Sequence, residues 1–172
     1  MADANIPCRV DALKLVGINQ QFEGYIESQN LPRLMAAVVS AEPKVWVKAT
    51  FERDAENYRT IVGECRSTVT MVCQRCLGEV DITLEGQFKA GLVFDDEQAK
   101  QLPRRLEPVE VSADEPLMFW DVIEDELLLS LPEFPSHDFG SCETVKHNLK
   151  QEVEEVVERE NPFDILAQLK QK

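Results

Sequence analysis

Five cysteines and two histidines are the residues of this chain that offer sulfur or imidazole nitrogen to a metal, and the thiols can also exchange electrons. Cys73 and Cys76 form a CxxC, Cys73-Gln74-Arg75-Cys76, inside the stretch TVTMVCQRCLGEVDITL (residues 68–84). A redox pair of the thioredoxin kind needs its first cysteine at a helix N-terminus, where the local field lowers the thiol pKa. Here the motif is flanked by alternating residues instead. Val69, Met71 and Cys73 share one parity, and Val80, Ile82 and Leu84 share another across the turn. That pattern predicts a β-hairpin with the motif at its tip and Gly78 as its flexible backbone position. A structural zinc knuckle suits such a setting, but a closed tetrahedral site needs two more N or S ligands. His137 and Cys142 are available, which gives a Cys₃His set of Cys73, Cys76, His137 and Cys142. The alternative is two incidental hairpin thiols beside a loop histidine. Any zinc held there has a structural role rather than a catalytic one.

The remaining candidates are weaker. Cys8 and Cys65 have no ligand-spaced neighbours and read as packing residues. His147 lies in a charged stretch and reads as exposed. Glu124, Asp125 and Glu126 are consecutive, so on a helix they fan around the axis and read as a solvated face rather than an acid–base pair. Arg75, Lys89, Arg104 and Arg105 form at most a small basic patch without clustered aromatics. The chain contains no P-loop, GxSxG, HExxH or GxGxxG.

The elements that must position the motif follow from periodicity. An extended arm and short strands fill residues 1–30, with Gln21–Ile26 as a strand carrying Phe22, Gly24 and Ile26 on one face. Leu31 to Ser40 reads as a short helix opened by Pro32. From Lys44 to Phe94 the period is two. Val45, Val47, Ala49 and Phe51 alternate with polar neighbours, and an Asp-Ala-Glu-Asn turn (residues 54–57) leads to Tyr58–Arg66. The hairpin and Gln87–Phe94 come next, so the spacing predicts an antiparallel meander of four or five strands. Asp95–Arg105 reads as a surface excursion and Glu107–Val111 as one more strand. Leu117–Leu131 is a largely buried helix that Pro132 stops. The fold class is thus α+β. An antiparallel sheet, barrel-like or covered on one face, packs against a buried helix, with short N- and C-terminal helices besides. Residues 1–145 form one domain, 146–160 an acidic linker, and 161–172 an amphipathic helix with Phe163, Ile165, Leu166 and Leu169 as its apolar stripe. That helix suits docking on its own domain or on a partner.

Charge narrows the partners. Of the 172 residues, 1–94 carry 10 Lys and Arg against 12 Asp and Glu, whereas 95–172 carry 8 against 20. A net charge of −14 repels phosphate backbones and favours basic proteins. No apolar run approaches the ~20 residues that cross a bilayer, and the first residues lack a signal-peptide pattern. An odd number of cysteines without an export signal points to a reducing compartment, the cytoplasm.

Three stretches in order carry a family resemblance: the hairpin TVTMVCQRCLGEVDITLE, the segment VIEDELLLSLPEFPSHDFGSCE, and the terminal NPFDILAQLKQK. Together they resemble the bacterial large ribosomal RNA subunit accumulation proteins, the YceD family, along nearly the whole chain. The resemblance implies a non-enzymatic ribosome-biogenesis factor that supports accumulation of 23S rRNA. Many relatives carry further cysteines after the buried helix, where this chain has His137 and Cys142. With the charge, the resemblance implies a basic ribosomal protein or assembly factor as partner, with rRNA contacted indirectly. A zinc-dependent RNA-processing enzyme and an acidic chaperone of a single ribosomal protein are the competing readings.

Overall fold

The computed structural model describes residues 4–138 with Ser141 and Cys142. In chain order they form β1 (Arg9–Val10), α1 (Ala12–Gly17), β2 (Gln21–Glu27), α2 (Pro32–Ala37), β3 (Ser40–Ala41) and β4 (Lys44–Arg53). Then follow β5 (Arg59–Val72), β6 (Glu79–Val93), α3 (Asp96–Gln101), β7 (Glu107–Glu110), β8 (Leu117–Met118) and α4 (Phe119–Leu129). The architecture is the expected α+β, a mainly antiparallel sheet with helices packed on it. Strand order is β2-β4-β5-β6-β7, with β3 pairing to β5 beyond the start of β4. The sheet stays open rather than closing into a barrel, and a separate two-stranded ribbon pairs β1 with β8.

One face of the sheet is the core. The β4 alternation buries Val45, Val47, Ala49 and Phe51, each at most 1% exposed. Across this face lies α4, its Phe119, Ile123 and Leu127 fully buried. Phe22, Phe51 and Phe119 meet edge to face or tilted, with ring centroids 5.3 to 6.5 Å apart, tying β2, β4 and α4 together.

Several elements differ from the expectation for identifiable reasons. The stretches read as four separate strands fuse into β5 and β6, of 14 and 15 residues. Gly86 sits inside β6 without breaking it. A Cβ there would lie 2.5 Å from Cγ of Glu126 and 2.8 Å from Sγ of Cys65, so glycine admits the close approach of α4. The helix expected over 31–40 ends at Ala37, because Val38 is extended and the Val39 N–H donates to Thr70 O, 2.9 Å away. Asp95, in the supposed surface excursion, caps a helical turn by accepting from the Gln98 N–H at 2.8 Å. That turn lets β7 return parallel to β6, which a meander does not contain. The linker at 146–160, with its His147, and the helix at 161–172 lie outside the described residues. Among the described residues no helix is long and apolar enough to cross a membrane.

The acidic run on α4 needs correction. Asp121 and Asp125 are exposed as expected, but Glu124 is only 2% exposed. One of its oxygens accepts from the backbone N–H groups of Arg33 (2.7 Å) and Leu34 (3.0 Å). The other accepts from Arg33 Nε at 2.8 Å. Leu31, at the N-cap of α2, has no side-chain oxygen to give, and Pro32 has no N–H. Glu124 therefore caps α2 from another helix.

Glu126 is the third acid. Burial raises its carboxyl above the ordinary carboxylate range, the Gln87 N–H it accepts at 3.1 Å works against this, and Glu107 adds to the rise. A carboxyl whose folded pKa exceeds its unfolded one favours folding at low pH and loses that contribution as pH rises through the folded value. Glu126→Gln keeps an oxygen for the Gln87 N–H and removes the charge. It is therefore expected to raise Tm slightly around pH 7 and to leave it unchanged near pH 4. Thermal melts at the two pH values check this.

Candidate metal centre

The β5–β6 hairpin brings the CxxC to its tip as the alternation implies. Val69 lies opposite Ile82, and Met71 opposite Val80. The Cys73 N–H donates to Gly78 O at 2.8 Å, and the Leu77 N–H to Cys73 O at 2.9 Å, folding the intervening residues into a tight knuckle. The left-handed position in it is Leu77, with φ 61°, and not Gly78.

After α4, the chain crosses Pro132 and Pro135 and reaches this tip, where Gln74 and Arg75 hold it. The Gln74 N–H donates to Pro135 O at 2.9 Å and its amide to Glu133 O at 3.3 Å. The Arg75 guanidinium donates to the carbonyls of His137 and Asp138. The two variable positions of the CxxC are thus clamps on the loop, a role the spacing of the cysteines did not reveal. An arginine beside a CxxC, read with the proline-rich loop, was the available signal.

Cys73, Cys76, His137 and Cys142 come together, with their ligand atoms all within 4.8 Å of one another. Cys73 and Cys142 have their sulfurs 3.7 Å apart, and Cys76 Sγ is 3.5 Å from His137 Nδ1. Zinc bonds of about 2.3 Å to sulfur and 2.0–2.1 Å to nitrogen, at tetrahedral angles, imply edges of about 3.8 and 3.6 Å. The Cys73–Cys142 and Cys76–His137 separations fit those edges. His137 Nε2 lies 3.0 Å from Glu79 O, a group that can only accept. Its proton is therefore on Nε2, which leaves the Nδ1 lone pair facing the sulfurs and fixes the ring by an outer hydrogen bond.

The electrostatics match a thiolate site. Burial would raise the Cys73 thiol, yet hydrogen bonds chiefly from the backbone N–H groups of Cys76, His137 and Arg75 bring it down to about 5. Cys142 is pushed up to about 11 by hydrogen bonding to Cys76, by burial, and by Cys73. Neighbouring thiols cannot all ionise without a cation among them. The four side chains could together hold a metal ion, and four such ligands are the number that a closed structural zinc site takes.

The other candidates fall elsewhere. Cys65 is fully buried against Gly86, and burial drives its thiol to about 12, which makes it inert packing. Cys8 is half-buried and its carbonyl accepts from the Phe119 N–H at 2.8 Å. The four basic residues do not form a patch. Arg75 is committed to the knuckle, while Arg105 pairs with Asp54 (3.0 Å) and Glu56 (3.1 Å) at the opposite end of β5. Lys89 lies on the outer sheet face, where it lines an open hollow with Lys48 and Glu64.

Comparison with known proteins places the chain. The family described as Large ribosomal RNA subunit accumulation protein YceD matches residues 61–170. A Haemophilus influenzae protein named Large ribosomal RNA subunit accumulation protein YceD is 32% identical over 174 residues, covering 100% of each chain. No solved structure matches. The matched span begins inside β5 and includes the hairpin, α4 and the whole ligand set. This chain belongs to the YceD family.

Proposed function

We propose that the protein is a cytoplasmic, non-enzymatic factor in large-subunit biogenesis, that it supports accumulation of 23S rRNA, and that it works through a basic protein partner. The observation that carries this reading is the 32% identity, over the full length of both chains, with a relative of that name. Zinc at Cys73, Cys76, His137 and Cys142 fastens the loop after α4 to the sheet. Bound there, it supplies a cross-link and not a Lewis acid, because four protein ligands complete its coordination. The RNA-processing enzyme fits less well, since it needs an open metal position and a general base beside it.

The outer sheet face supports an indirect relation to RNA. Its registered rows read Tyr25–Trp46–Arg66–Glu85 and Glu23–Lys48–Glu64–Gln87, so acids and bases interleave without a basic track. Arg66 stacks over Trp46, 5.7 Å from the ring centroid, and Lys44 lies 5.5 Å over Tyr25, so cations of the chain already cover the two rings of that row that a base would seek.

Deletion of the gene is expected to lower the ratio of 23S to 16S rRNA and the large-subunit peak in sucrose gradients. Full-length protein should restore both, and purified protein should leave precursor rRNA intact with or without chelator. An unchanged rRNA ratio, or chelator-sensitive cleavage, overturns the proposal.

A further inference from the structure

β6 is paired along one side by β5 for nearly its whole length, but β7 covers its other side only from Ala90 to Val93. Three contacts fix which of its residues point to that second side. Glu79 O meets His137, the Gln87 N–H donates to Glu126, and Val93 O accepts from the Val111 N–H. All three are odd-numbered, and N–H and C=O of alternate residues on an antiparallel strand face the same way. The backbone groups of Asp81, Thr83 and Glu85 therefore also face outward. No described residue hydrogen-bonds to them across that edge. All three residues are exposed, and both ends of the opening are closed by the chain itself, through His137 and Glu126.

We propose that this opening, Asp81 to Glu85 on β6, takes up an extended segment of a basic protein as an added strand. This rests on the reading above that the partner is basic, and it names where and how that partner is held. An incoming strand would satisfy the outward N–H and C=O groups of the three residues, the mode by which sheet edges recruit peptides. Residues placed directly opposite Asp81 and Glu85 on the outer face meet carboxylates. Lysine or arginine at alternate positions complements them. The carboxylates have only exposed internal partners, Thr70 for Asp81 (2.8 Å) and Arg66 for Glu85 (3.5 Å). Intervening residues of the strand turn to the core face, beside the half-buried Ile82.

Past Gln87 the edge runs into a cleft of about 370 Å³ between β7 and α4. Phe88, Val109 and Leu128 wall it, and Glu107 and Glu126 stand at its rim, so an apolar side chain of a basic segment fits there. A second copy of this chain is a poor occupant. Antiparallel self-pairing about Thr83 sets Asp81 opposite Glu85, and like charges in register repel.

Amide hydrogen exchange on the zinc-loaded full chain tests this, with a synthetic peptide alternating lysine and valine and its glutamate counterpart as probes. The lysine peptide is expected to slow exchange at Asp81, Thr83 and Glu85 by ~10-fold or more, while Ile82 and Leu84, already bonded to β5, stay as they were. Thr83→Pro removes the central outward N–H without touching the β5–β6 ladder and should abolish the effect. Should that variant fail to fold, the same peptide N-methylated at alternate amides gives the equivalent result with the protein unaltered. Equal binding of the glutamate peptide, indifference to N-methylation, or slowing of the same amides by a uridine oligonucleotide instead overturns the proposal. If it falls while gene deletion still depletes the large subunit, the biogenesis reading stands. If the peptide docks and deletion has no effect, that reading falls alone.

Discussion

Chelation, or replacement of Cys73 by serine, is expected to strip one zinc per chain and lower Tm by roughly 10 °C. The size follows from linkage: an ion a thousandfold above its dissociation constant stabilises the folded state by about 4 kcal/mol, and each kcal/mol moves Tm by about 2–4 °C at this chain length. Loss should begin locally. Without the ion, the loop from Glu133 to Asp138 is held to the hairpin, among the described residues, by hydrogen bonds to Gln74, Arg75 and Glu79 and by the buried Pro135. Amide exchange is therefore expected to rise first around 73–79 and 133–138, with β4 and the centre of β5 protected until the global transition. Cys8→Ser, remote from the ligand set, should retain full zinc. Metal analysis with exchange mass spectrometry gives the result, and a Cys73→Ser protein with full zinc and unchanged exchange would refute the assignment.

The second large effect belongs to Glu124. Its carboxylate is enclosed and accepts three hydrogen bonds, two of them from the N-terminus of α2. Glu124→Ala leaves the N–H groups of Arg33 and Leu34 without their acceptor and opens a space under α2. Removing one partner of a buried ionic hydrogen-bonded set costs about 3–5 kcal/mol, and the half-exposed Arg33 head, which water can still reach, puts this case near the lower end, about 3 kcal/mol. Arg33→Ala should cost about 1 kcal/mol, because Glu124 would keep both backbone donors. Denaturant melts of the two variants and their double mutant separate the contributions, and equal effects would show that the ion pair, not the cap, matters.

Much of the fold was legible because the information was local. The alternation at Val45–Phe51 predicts which face is buried, and the parity around the CxxC predicts the pairing of Val69 with Ile82. The Asp54 turn is equally readable: its carboxylate accepts from the N–H groups of Glu56 (3.0 Å) and Tyr58 (2.9 Å), with Asn57 left-handed at φ 69°. Residue type offered the four candidate ligands as one of two readings, and their meeting depends on the loop contacts of Gln74 and Arg75 that spacing does not reveal.

The misreadings concern features set at a distance. Three consecutive acids look alike in sequence. Glu124 is distinguished only by a helix start 91 residues earlier that lacks a cap of its own. Gly86 falls between two stretches read as separate strands, and only the approach of α4 supplies its reason. The parallel β7 depends on a helical turn whose only sequence sign is the Asp95 cap, and α1 depends likewise on Asp11, which accepts from the Lys14 N–H at 3.0 Å. Leu77 takes the left-handed conformation beside an available glycine because the knuckle bonds fix which residue must turn.

The pairing of β1 with β8, and of α2 with Glu124, has a consequence for synthesis. β2, β4, β5 and β6 are neighbours both in sequence and in space, apart from the small β3, so they can pair as the chain emerges. Residues 9 and 10 must wait for 117 and 118, and α2 waits for its cap at residue 124. The ligand set is completed later still, at Cys142. A chain whose strands have paired before residue 119 is made would have α1 but not yet α4 over its core face. The arrival of α4 completes the cover of that face, and the loop that carries His137 and Cys142 to the hairpin can only follow it.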